Sequence, residues 1–140
     1  LKKMDLDSTD PEEYYKFSYE LGIPQKNTEK LRNKLFGIEC NFEELNGIDF
    51  KKGCYIGQEN TSRIKLRNKL SKRLLPIQLI EGKLIEGSPI KNNDNEIGKV
   101  LINNQYPFAI VKYLSDYFDP KIEYKSGEAV LKIIKPDWIK

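Results

Sequence analysis

Beyond residue 70 the chain never runs far without a turn former. Gly82, Gly87, Asn92-Asn93-Asp94-Asn95, Asn103-Asn104 and Ser126-Gly127 interrupt short apolar stretches. Punctuation of that kind leaves room for short strands. The candidates are residues 74–80, which continue across Pro76, then 88–90, 97–102, 108–113 and 129–134. Short strands at this spacing predict a small antiparallel barrel. Just upstream, Arg63, Lys65, Arg67 and Lys69 alternate with Ile64, Leu66, Asn68 and Leu70. A period of two predicts a strand with its cations on one face. Lys72 and Arg73 extend that stripe, and no acidic residue interrupts it.

The first half reads differently. Residues 8–21 predict a helix: Ser8, Thr9 or Asp10 caps it, Pro11 suits its first turn, and Glu12 and Glu13 complement the dipole. Tyr14, Phe17 and Leu21 recur at helical spacing and are expected to face the core. Gly22 and Pro24 stop the helix. Residues 25–37 are polar and weakly periodic, which suits a short helix or a long loop. Phe42, Leu45 and Ile48 suggest a brief helical or turn element. The expected division is 1–69, helices and loops, and 70–140, a β module.

Composition bounds the chemistry. The 140 residues fit one domain or two small ones. A chain opening on Leu1 reads as a fragment or a processed form. The net charge of +3, from 24 basic and 21 acidic residues, is too mild to imply a nucleic-acid partner. There is no histidine. Ser-His-Asp and Cys-His catalysis within the chain are thereby excluded, and a zinc site is left short of its usual ligands. Two cysteines, Cys40 and Cys54, are too few for a disulfide scaffold and suit a reducing, intracellular setting. No apolar run approaches the ~20 residues of a membrane span, and no signal-peptide core is visible.

The most informative segment is Lys52-Gly53-Cys54-Tyr55-Ile56-Gly57-Gln58-Glu59. Its glycines suggest a loop turning into a helix. Gly53 allows close approach of a ligand to the backbone. A helix starting near Cys54 would lower its thiol pKa, as would Lys51 and Lys52. The plainer alternative is a buried structural cysteine. Arg63 lies at i+4 from Glu59, where a local ion pair is its simplest role. Cys40 has no evident partner and is assigned to structure. Trp138 is expected to close the barrel, or else to make an exposed contact.

This string resembles the signature of the YgfZ-type folate-binding family, which includes a related mitochondrial iron–sulfur assembly factor. Gly22-Ile23-Pro24, Glu39-Cys40-Asn41, Leu45-Asn46-Gly47-Ile48-Asp49-Phe50, Lys72-Arg73-Leu74, Gly98 and Ala109-Ile110-Val111 are similar to other steps of that family. One departure is Asn68, where the family often has a turn glycine; Asn tolerates positive φ. The resemblance implies an α+β architecture: the C-terminal part of an aminomethyltransferase-like folate-binding fold, followed by a small antiparallel β-barrel. It also implies tetrahydrofolate as cofactor, with the N-terminal half of a chain about twice this size forming the other wall of the site. Cys54 would be the functional thiol. Glu39, Lys52, Gly53, Tyr55, Gln58 and Glu59 would be cofactor-binding, Glu39 through a carboxylate fork that matches the pterin's adjacent N–H donors.

The implied function is a non-catalytic accessory role in assembly or repair of iron–sulfur proteins, linked in bacteria to tRNA modification. The partners would be folate and iron–sulfur client or assembly proteins, in the cytoplasm, or in the mitochondrial matrix of a eukaryote. A thiolate is the soft ligand that iron or a persulfide needs, and two cysteines cannot hold a cluster alone. Two alternatives are a folate-dependent aminomethyltransferase and an RNA-binding module. In the latter, Arg63, Lys65, Arg67, Lys69, Lys72 and Arg73 would contact tRNA phosphates. The same cations would suit a folate polyglutamate tail.

Overall fold

A computed structural model describes residues 9–53, 56, 58–66 and 70–139. The second half is a closed antiparallel barrel of six strands: β1 (Lys72–Glu81), β2 (Pro89–Asn92), β3 (Asn95–Ile102), β4 (Phe108–Lys112), β5 (Glu123–Ser126) and β6 (Ala129–Ile133). Around the barrel they run β1-β4-β3-β2-β5-β6. The expected barrel is therefore present, and the five anticipated strands are found with small shifts at their ends. The sixth, β5, was not anticipated. Its sequence Glu-Tyr-Lys-Ser has one apolar residue, yet it alternates cleanly, with Tyr124 and Ser126 buried and Glu123 and Lys125 exposed.

Cross-strand register explains the core. Leu75 pairs with Ala109, Ile77 with Ile133, Val100 with Ala109 and Tyr124 with Leu131. Residues directly opposite share a face, so these side chains fill the interior with Ile90, Ile97 and Val111. Bulges at Leu79/Glu81, Ile90/Lys91 and Val100/Ile102 bend strands where the barrel turns its corners. Gly98 is required by closeness: a Cβ there would stand 2.5 Å from the Ile110 carbonyl oxygen.

A second cluster lies on the outer wall. Leu74, Leu101, Ile102 and Phe108 are buried there against Tyr19, Leu31, Leu35 and Cys40 of the preceding segment. That segment opens with helix α1 (Pro11–Glu20), where Asp10 caps and accepts the Glu12 N–H at 2.9 Å. Gly22, at φ +73°, ends it by donating to the Tyr19 carbonyl. The helix was rightly anticipated, but its inner face was not. Tyr14, Phe17 and Leu21 are exposed, Phe17 by 60%. Ser18 is buried instead, and the Tyr19 hydroxyl donates to the Ile77 carbonyl at 2.7 Å. The barrel interior is already filled, so α1 meets only its outer wall, and a narrow, partly polar face makes that contact. Trp138 is half-buried against the barrel core, and its Nε1 donates to the Leu21 carbonyl at 2.9 Å.

Residues 25–50 form turns, with one 3-10 turn at Thr28–Leu31. Helix α2 spans Gln58–Leu66. This corrects the strand expected from residue 63 onward. The alternation lies on α2 as far as Leu66, and the Glu59–Arg63 pair at 2.5 Å is a helical i,i+4 contact. Arg67, Asn68 and Lys69 lie outside the described residues. The cation stripe thus has no common strand face: Arg63 and Lys65 stand on α2, while Lys72 and Arg73 open β1. Among the described residues, no helix is long and apolar enough to cross a membrane.

Candidate functional site

The segment from Phe36 to Gly53 carries the residues of interest as a chain of turns between the outer-wall cluster and α2. Asparagines supply the left-handed corners that such a path needs: Asn41 has φ +62° and Asn46 φ +58°. Gly47 donates to the Phe42 carbonyl at 2.6 Å, and Lys51 N–H bonds the Asp49 carboxylate at 2.8 Å. Lys65 of α2 is ion-paired with Glu43 and stands 3.9 Å from the centre of the Phe50 ring. Those contacts tie α2 to the turns ahead of the signature.

Glu39 is half-buried, and its Oε2 accepts the Phe36 N–H at 3.0 Å. Lys52 and Gly53 are exposed, and a Cβ at Gly53 would meet nothing within 4 Å, so that position opens outward. Ile56 is fully exposed. Gln58 and Glu59 form the first turn of α2, with Glu59 engaged by Arg63. Cys54, Tyr55 and Gly57 lie outside the described residues.

Cys40 is placed firmly. It packs into the outer-wall cluster, and burial pushes its thiol up to about 11, with the Glu39 charge acting in the same direction. A thiol held protonated is a poor nucleophile and a poor metal ligand. Among the described residues, no group of three or more potential metal-ligating side chains comes together.

Three residues matter here that the sequence did not single out for a site role or misassigned. Asn41 is buried, and its Nδ2 donates to the Leu74 carbonyl at 2.8 Å. Arg73, expected on an anion-binding face, donates to Asn41 Oδ1 at 3.0 Å and pairs with Glu44 at 2.5 Å. The signal for Asn41 was its place in the Glu39-Cys40-Asn41 step of the resemblance. For Glu44 and Arg73 there was none, because their contact spans 29 positions, the difference between their numbers.

A pterin needs a carboxylate at its donor edge and cover on both ring faces. Glu39 is the carboxylate expected at that edge, and its Oε2 already accepts the Phe36 N–H. An open cleft of about 460 Å³ runs between Glu43, Asn46, Phe50, Lys51 and Lys65, and Glu39 does not line it. That cleft is open and does not enclose a ligand of pterin size.

No family model matches the sequence. Among curated proteins, it is 43% identical over 72 residues to a mitochondrial iron–sulfur cluster assembly factor IBA57 homolog of Neurospora crassa, 51% of this chain and 16% of that protein. The Dictyostelium discoideum homolog is 42% identical over 71 residues, 51% of this chain and 17% of its own length. The mouse factor of the same name is 40% identical over 75 residues, 54% of this chain and 21% of its own. The matched stretches thus span about a fifth or less of these relatives.

Proposed function

We propose that this chain belongs to an iron–sulfur cluster assembly factor, in which it contributes the thiol of Cys54 and one wall of a tetrahydrofolate site. The observation that carries the reading is the 43% identity over 72 residues to a protein named for that role. The signature Lys52–Glu59 supports it, since it carries a cysteine next to Lys51 and Lys52 in the sequence, and a thiolate is the soft ligand that a metal or a sulfur cargo needs. Cys40 is held protonated in the outer-wall cluster, which leaves Cys54 as the thiol within the chain suited to that chemistry. The cluster is cargo, and a second set of ligands comes from a client or assembly partner. Glu39 takes the donor edge of the pterin, with Lys52, Gly53, Tyr55, Gln58 and Glu59 near the cofactor. The mitochondrial matrix is the compartment this reading implies. The RNA-binding alternative is weakened, because Arg63, Lys65 and Arg73 already have carboxylate partners.

The test is complementation. The protein carrying this sequence is expressed in yeast lacking its own assembly factor, and iron–sulfur enzyme activity is measured. Rescue by the natural sequence and its loss in Cys54→Ser, at equal protein level, is the expected result. Full rescue by Cys54→Ser would remove the thiol from the mechanism, and no rescue by the natural sequence would remove the assembly role.

A further inference from the structure

Arg73 opens β1 opposite Val111, and its side chain is only 14% exposed. Nη1 donates to Asn41 Oδ1 at 3.0 Å and Nη2 reaches Glu44 Oε1 at 2.5 Å. The next residue completes the hold. Leu74 N–H donates to the Glu39 carbonyl at 2.8 Å, and Asn41 Nδ2 donates back to the Leu74 carbonyl at 2.8 Å. Asn41 is 1% exposed and left-handed at φ +62°, so backbone and side chain fix it together. Two consecutive residues of β1 therefore grip Glu39, Asn41 and Glu44, on both sides of Cys40.

The grip is geometric more than electrostatic. Arg73 Nε and Glu44 Oε2 are buried without a partner among the described residues. A desolvated pair of this kind is held by its hydrogen bonds. A planar guanidinium serves Asn41 and Glu44 at once, which the point charge of a lysine does not.

We infer that Arg73 is a positioning residue: it hangs segment 39–44 on the barrel and so sets where the Glu39 carboxylate stands. The mechanical part is independent of any ligand, while its functional meaning rests on the folate role proposed for Glu39. Arg73→Met and Arg73→Lys are made in the full protein. Cys40 alkylation is followed by site-resolved mass spectrometry, and amide exchange is followed over segment 40–44. The sole tryptophan, Trp138, reports the barrel by fluorescence. Both variants should alkylate at Cys40 about tenfold faster or more, as a segment that loses hydrogen bonds to a charged group opens locally. Trp138 emission should not change. If Arg73→Met does not fold, Arg73→Lys keeps charge and bulk and gives the same reading. Unchanged alkylation and exchange in a folded variant would overturn the inference. A second arm titrates tetrahydrofolate into the full-length protein, where Arg73→Lys should weaken binding about tenfold, in parallel with Glu39→Gln. Loss in Glu39→Gln without loss in Arg73→Lys would also overturn it. No effect of Glu39→Gln would instead remove the folate role and leave the Cys40 result standing.

Discussion

Cys40 and Tyr19 bring two titratable groups into the seam between the N-terminal segment and the barrel. Burial raises both, Cys40 from 9.0 to about 11 and Tyr19 from 10.0 to about 12. In each case the folded state keeps its proton longer than the unfolded chain does. The stability they contribute is complete below the ordinary value and is lost as pH rises through the folded one. Unfolding midpoints should therefore fall first above about pH 9 through Cys40 and then above about pH 10 through Tyr19. Cys40→Ala removes the earlier component, so its midpoint should decline less steeply between about pH 9 and 11 in a urea titration series. Identical slopes for the two proteins would mean that the Cys40 thiol reaches water freely in the folded state.

At the scale of elements, the barrel was legible and the segment that carries the site was only half so. Strands β1, β3, β4 and β6 announce themselves by apolar stretches between turn formers, because interior and turn chemistry are both local signals. Strand β5 has a single apolar residue, Tyr124, and only the partner strand Ala129–Ile133 shows why it pairs. The alternation from Arg63 to Leu70 reads as a strand, and the decisive clue against it, Glu59 one turn before Arg63, fits helix and bland polarity alike. Glu39 could be singled out by resemblance, but its anchoring through Asn41, Glu44 and Arg73 depends on closure between distant positions, which no local pattern encodes. Gly98 offers a sharper check on the barrel. Its interior face sits against β4 so closely that a methyl group would strike the Ile110 carbonyl, 2.5 Å from the Cβ position. Backbone is on the other side, so no side chain can swing away. Gly98→Ala should cost about 1–3 kcal/mol, the range of overpacked sites, read as a lower denaturation midpoint with unchanged slope. A neutral effect would show that β3 and β4 separate easily, contrary to a closed wall.

The whole molecule sets the limit on ligand binding. Tetrahydrofolate should bind weakly or undetectably to these 140 residues alone, and clearly to a polypeptide extended at its N-terminus to the length of the relatives. A ligand of that size is normally buried over ~70–90% of its surface. Four clefts among the described residues are open, and Glu39 lines none of these four. A ring face left in water forfeits roughly 25 cal/mol for each Å² of apolar surface. Glu39 already accepts the Phe36 N–H, so further bonds to a pterin compete with water for a net gain of about 1 kcal/mol each. The cations paired near the segment do not make up the difference. Lys65 and Arg73 are paired with Glu43 and Glu44, and salt screens attraction between exposed charges over about 8 Å at physiological strength. Calorimetric titration of the two polypeptides at low and physiological salt decides the matter. Affinity of the short chain that survives physiological salt and matches that of the long one would place the whole pocket within residues 1–140, and the division of the site between two halves would have to be abandoned.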